Sequence, residues 1–243
     1  VTDASLQIVD EVHHTEHAGE MYPSALVAEV SFMGEGSVTM DLTYQELPVV
    51  YNNFFDEDAA PATSTSTGGT NYTWSYDAPD DAAVTPQYLG IEFGAPDAEY
   101  EACGVVFSEL NVSGEAGGVW VGDFPFFCAD INTATMSTGT AVDDRAVDLI
   151  RMADTTIYID TWSGTIGSAT ADDTLISFDL SVSNGRHLKT FAGDLQPTDW
   201  GDTQWSGTLT TVVEFNATGK AIVDELLGPA LVQRMIRIEA TTG

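Results

Sequence analysis

The chain has 243 residues, 43% of them hydrophobic, and a net charge of −31. That length accommodates one large all-β domain with a buried core, and the apolar content excludes a disordered acidic polymer. No run approaches the ~18 apolar residues that cross a bilayer as a helix, and such a charge excludes gripping nucleic acid by its phosphates.

The opening segment, VTDASLQIVDEVHHTEHAGE, has neither the basic nor the apolar region of a signal peptide. It starts without Met, and the chain stops in a strand-like run, RMIRIEATTG. The expectation is a processed or trimmed product. Residues 1–20 read as a polar N-terminal arm and 21–243 as one domain. Within the arm, HHTEH places His13 and His17 four apart. The second position is His14 rather than the Glu of a zinc-protease helix, and no companion ligands are evident. The cluster therefore reads as a solvated arm rather than a metal site.

Alternating apolar residues predict strands at 24–32 and 37–44, and QELPVVYNNFF (45–55) predicts a short helix with Pro48 in its first turn. Residues 56–70, DEDAAPATSTSTGGT, are small and polar, the composition of a long surface loop. Strands are expected again at 71–76, 87–93, 104–112 and 119–124, followed by a polar loop over 130–144. Further strands are expected at 155–162, 175–183, 205–215 and 234–240. One helix stands out over 217–227: Asn216 or Thr218 can cap it, Ile222, Val223, Leu226 and Leu227 form a stripe, and Gly228-Pro229 end it. Many strands, two short helices and turn signals between the strands predict an antiparallel β-sandwich or barrel.

Cys103 and Cys128 flank an apparent hairpin. A turn centred on Glu115–Ala116 would set them opposite each other, so a cross-strand disulfide is conceivable. Two buried thiols are the preferred reading in a reducing cytosol. Catalytic signals are missing: there is no nucleophile elbow, no phosphate loop and no dinucleotide fingerprint. The acidic groups at 56–61 and 143–148 lack calcium-loop spacing. Five tryptophans could line a sugar-binding face, although packing is their commoner use. The sequons at Asn71, Asn111 and Asn216 are of the kind that a Ser/Thr-rich chain produces by chance. No enzyme, cofactor or metal is expected.

Charge is uneven along the chain. Residues 1–144 hold 25 acids and no Lys or Arg, whereas residues 145–243 hold 13 acids and all seven bases. In ISFDLSVSNGRHLKTFAGD (176–194), a clean strand ends at Asn184-Gly185, a hairpin signal. A tight hairpin would set His187 and Lys189 opposite Val182 and Leu180, a poor core match. The better reading is an excursion over 186–204 before the next regular strand.

That excursion and its neighbours carry a resemblance. TTIYIDTWSGTIG, then the strand ending at Asn184-Gly185, the Asp/Pro loop at 194–199, the long strand 205–215 and the helix 217–227 resemble the major tail (tail tube) proteins of long-tailed phages and related archaeal viruses. The helix at 45–55, the loop after it, and NYTWSYDAP, PQYLGIEFG and GVVFSELNVSGEAGG agree in order. The resemblance spans roughly residues 24–240. It departs from the family in its extreme acidity and in where the last strand ends.

The resemblance implies a sandwich whose copies form stacked hexameric rings in a virion tail, assembled in the host cytoplasm. Sheets of neighbouring copies would join in an inner barrel through which DNA passes unbound. Implied partners are further copies and the tape-measure, terminator and baseplate proteins, with no membrane. Glu109, Asp179 and Glu214 are candidates for the lumen lining, the alternative for each being an ordinary outer-surface acid. Arg186, Lys189, Trp200, Asp56, Glu57 and Asp58 are candidates for contacts between copies. The acidity suits a salt-dwelling host. Competing readings are a secreted or cell-surface acidic binding module, such as an adhesin or carbohydrate binder, and a baseplate or connector protein.

Overall fold

The structure is a computed structural model. It describes residues 3–15, 26–55, 62–66, 69–76, 78, 86–95, 98–133, 148–168, 175–194, 196–228 and 233–241. In chain order the elements are β1 (Asp3–Thr15), β2 (Leu26–Asp41), α1 (Leu47–Phe54), β3 (Ala62–Ser66), β4 (Gly69–Thr73), β5 (Leu89–Ala95), β6 (Ala98–Phe107) and β7 (Glu109–Glu115). There follow β8 (Val121–Cys128), β9 (Asp130–Thr133), a 3₁₀ turn (Met152–Asp154), β10 (Thr155–Thr161), β11 (Leu175–Ser183), β12 (His187–Lys189), β13 (Asp199–Gly201), β14 (Ser206–Val213), α2 (Ala217–Leu226) and β15 (Arg234–Ala240).

The fold is the antiparallel all-β class expected from the alternating runs. The main sheet runs β1-β2-β8-β7-β11-β14, and β5, β6 and β9 extend it beside β8. Its inner face presents Val38, Leu110, Val112, Phe124, Phe126 and Phe178 to the core. The layer above contains, among the described residues, no second broad sheet. It consists of α1 (Val50, Phe54), the stretch with Ile150 and Met152, and the end of the β10–β15 ribbon (Ile238, Ala240).

Several elements differ from expectation. The polar arm is a strand: β1 pairs with β2 from Asp3↔Thr39 to Thr15↔Leu26. An edge strand that meets the core through Leu6 tolerates many polar residues, so composition hides the strand. His13 and His14 lie in β1, while their side chains and His17 fall outside the described residues. The two strands expected at 24–32 and 37–44 are one, β2, since Gly34 and Gly36 continue the strand across the gap between them. At Gly36 a Cβ would come within 2.0 Å of the Ser5 carbonyl oxygen, so glycine permits β1 and β2 to approach. The loop at 56–70 contains β3 and the start of β4, which pair with each other. Of the polar loop at 130–144, Asp130–Thr133 form β9, and the rest lies outside the described residues.

The strand expected at 104–112 is broken. Phe107 pairs with Phe126, yet Asn111 pairs with Asp123, so the register moves by one residue. Ser108 is the extra residue, with its N–H on the Pro125 carbonyl at 3.0 Å. Such a bulge shifts which residues face inward. Burial accordingly passes from Val105 and Phe107 to Leu110 and Val112.

The helices stand where the caps place them. Thr43 and Glu46 make reciprocal bonds ahead of α1, with the Glu46 N–H on Thr43 Oγ1 at 3.2 Å and the Thr43 hydroxyl on Glu46 Oε2 at 2.9 Å. Asn216 Oδ1 accepts from the Gly219 N–H at 2.9 Å to cap α2. Leu227, expected in the apolar stripe of α2, is instead 80% exposed.

The β7–β8 hairpin turns further along the chain than Glu115–Ala116, which sets the cysteines out of register. Cys103 pairs with Asp130, two residues beyond Cys128, and both thiols are free. Burial, then the neighbouring Cys103 and Asp130, pushes the Cys128 thiol from 9.0 up to about 11. Burial raises the Tyr51 and Tyr76 phenols as well. Above pH 9 the unfolded chain loses the thiol proton that the folded chain still holds, so stability falls as pH rises from about 9 through about 11. At pH 8 a maleimide should modify Cys103 and spare Cys128 until denaturant is added. Equal labelling of both in the native protein would contradict this burial.

Candidate assembly surfaces

Between Val105, the last residue of β6 paired with β5, and Glu109, the first of β7 paired with β11, the chain has no strand on that side among the described residues. Side chains fill the gap. Asn53 of α1, fully buried, donates to the carbonyls of Val105 (2.8 Å) and Gln87 (2.6 Å) and accepts from the Phe107 N–H (2.7 Å). Asn184, also fully buried, donates to the Phe107 carbonyl (2.9 Å) and accepts from the Arg186 N–H (3.0 Å). Gly185 makes this exit possible. Its φ is +62°, and a Cβ there would lie 2.1 Å from Thr203 Oγ1.

Arg186 completes the cluster. Its guanidinium donates to the Asn53 and Phe54 carbonyls at 3.1 and 3.4 Å, which belong to the last turn of α1. It pairs with Asp202 at 3.1 Å and lies 4.9 Å over the Trp200 ring. Burial lowers its pKa, and the Asp202 hydrogen bond and charge oppose that shift. The expectation of Arg186 as a contact between copies is therefore corrected: its side chain is wholly buried. A cation that far from water is held only by partners inside the same chain.

The other bases are similarly occupied. Arg151 pairs with Asp154, Lys220 with Asp224, Arg234 with Glu225 and Arg237 with Glu239. Among the described residues Lys189 alone of the bases makes no ion pair. It lies half-buried in β12, and Trp200 lies half-buried in β13, opposite Leu188. Asp56, Glu57 and Asp58 lie outside the described residues. The C-terminal third thus offers no broad basic patch to an acidic neighbour.

The outer face of the main sheet is different. Register places Asp179 opposite Ser113 and Thr210, and Glu109 opposite Ser183. The same face carries Asp3, Glu35, Asp41, Glu115 and Asp123, through Asp3↔Thr39, Thr39↔Asp123 and Asn111↔Asp123. Between these seven acids stand mostly serine and threonine, and no Lys or Arg occurs on the face among the described residues. Two of the three proposed lumen acids, Glu109 and Asp179, are thereby brought together. Glu214 is exposed just past the end of β14. Period-two alternation was the signal that grouped them; joining the strands into one face required the register.

Among the described residues no further strand pairs with β1 or β14 at the two edges of the sheet. β14 is an outer strand whose sequence, SGTLTTVV, has no charge and no proline. Natural edge strands commonly carry Lys, Pro or a bulge that blocks pairing with another chain. Trp120 and Trp205, candidates for a sugar platform, are packed instead: Trp120 Nε1 donates to Thr155 Oγ1 at 2.9 Å, and Trp205 stacks on Phe55 at 5.5 Å. Among the described residues no three His, Cys, Asp or Glu side chains converge on a metal position, and no helix is long and apolar enough to cross a membrane. No protein-family model and no curated protein matches the chain.

Arg186→Glu should destabilise the monomer by about 3–5 kcal/mol, because it breaks a buried pair and places an acid against two carbonyls. Asn53→Ala should cost about 1–3 kcal/mol for each backbone group left unpaired. Lys189→Glu should stay within about 0.5 kcal/mol of the parent. Denaturant titration followed by tryptophan fluorescence measures all three; a fully stable Arg186→Glu protein would show that the cluster does not hold the fold.

Proposed function

We propose that the chain is a self-assembling structural subunit, the tail-tube protein of a long-tailed virus. Its acidic strand face would line a conduit for DNA. The observation that carries this reading is one outer face shared by six strands, with seven acids and no Lys or Arg among the described residues, that ends at the β14 edge. Pairing of that edge with another copy would satisfy its backbone groups and continue the face around a ring. Two different edges meeting in this way make a heterologous contact, the kind that closes rings.

A negative wall suits passage of a duplex. Phosphates adhere to basic channels by releasing counterions, whereas like charge leaves them free to slide. The tail proteins named above would be its partners. The cost of such a wall is repulsion between copies that each carry −31. Screening relieves it, since the Debye length falls from about 10 Å at 0.1 M salt to about 3 Å at 1 M. A salt-rich host environment fits the same physics.

Negative-stain microscopy across that salt range tests the reading. Rings or tubes with a central channel should become more abundant as salt rises. Monomers at every salt concentration would sink it. The double change Glu109→Lys, Asp179→Lys should still assemble and should now retain duplex DNA in a salt-sensitive way. Unchanged indifference to DNA would remove those two acids from the channel.

A further inference from the structure

A second candidate contact joins two features, a groove at one end of β7 and β8 and a turn on the ribbon rooted at their other end. The first is an open groove of about 720 Å³ where β1, β2, β8 and β12 meet. Met33, Pro125, Phe127 and Leu188 give it apolar walls, with Glu35 and His187 among the polar lining groups. It lies at the Ser108–Pro125 end of β7 and β8.

The second is the turn that follows β10. The β10–β15 ribbon is rooted at the other end of β7 and β8, where Val119 bridges Arg151 and Trp120 bonds Thr155. β7, seven residues long, separates the two ends by roughly 23 Å. The turn, Thr161–Ser168, contains no charged residue, in a chain with 38 acids. It exposes Trp162 at 65% and Ile166 at 46%. It is also held in shape: the buried Asp160 carboxylate accepts from the Gly167 N–H at 2.8 Å and the Ser168 hydroxyl at 2.5 Å. A turn already ordered loses little entropy on docking. Arg237 lies against it, with Nη1 3.0 Å from where a Gly167 Cβ would stand.

We propose that this turn of one copy seats in the groove of a second copy, with Trp162 as the anchor. The fit is one of size, polarity and charge. The groove has room for an indole and an isoleucine side chain together. An uncharged knob meets no repulsion on entering an acidic surface. Exposed aromatic anchors in apolar pockets are the usual source of association energy. Because knob and groove are different surfaces of one copy, the contact is heterologous and leaves a free knob and a free groove for further copies. The inference builds on the self-assembly reading and adds a contact separate from the β14 edge.

Complementary variants test it by mass photometry in high salt. Trp162→Glu removes the knob and keeps the groove; Leu188→Glu does the reverse, with Met33→Glu as a second groove variant should Leu188→Glu misfold. Each alone should form one terminal particle, with the head-to-tail affinity lowered at least about 30-fold. An equimolar mixture of a knob and a groove variant should give a particle of twice that mass and nothing larger. Tubes formed by Trp162→Glu, or a mixture no heavier than its components, would overturn the contact. If tubes with a channel persist in Trp162→Glu, the contact fails while the conduit reading stands. If the mixture doubles but the parent shows no channel, the contact stands and the conduit reading falls.

Discussion

A strand buried in the core must have its backbone bonded on both sides, and the passage from β6 to β7 lies in a gap between the end of β5, opposite Val105, and the end of β11, where Ser183 faces Glu109. Each buried group left unpaired costs about 1–3 kcal/mol, so the vacancy has to be filled. Asn53 and Asn184 fill it, each offering a donor and an acceptor in place of a strand. Asparagine does this only if its own backbone is fixed. Arg186 fixes the last turn of α1 through two carbonyls, and Asp202 holds Arg186. The bulge, the helix and the root of the 186–204 excursion are therefore one connected structure. This also explains how a hairpin as short as β12–β13 persists, since an isolated two-stranded hairpin is marginal in water.

The dependence explains which parts were legible in sequence. Strand β11, its partner β14 and strand β15 follow from alternation and turn chemistry, which are local. The Asn216 cap is local as well. Asn184-Gly185 was readable as an exit from the strand because a tight hairpin would have put His187 opposite Val182. The function of Asn184 was not readable, since its partner Phe107 is 77 residues away. Ser108 gives no bulge signal, because serine is unremarkable on either side of a strand. Arg186 misled for a related reason. A rare cation in an acidic chain suggests a surface role, yet burial is decided by the carbonyls of α1, which composition does not encode.

Charge asymmetry along the chain does not become charge asymmetry in space. Five of the seven bases are engaged with acids of their own chain. Copies thus present one another with net negative surfaces, and long-range attraction is not available to bring them together. Association under those conditions has to come from groups without charge: backbone edges such as β14, and apolar knobs such as the turn at Trp162.

The candidate surfaces and the core are also separated by the sheet itself. On the main sheet the seven acids named above occupy one face, and Phe124, Phe126 and Phe178 the other. The central cluster is sealed from solvent, so added salt screens it little, whereas the exposed acids are screened strongly. Fold stability and association therefore answer to different variables. A surface this acidic can accumulate charge without loosening the structure that displays it, because the buried asparagines and Arg186 draw their partners from within the chain.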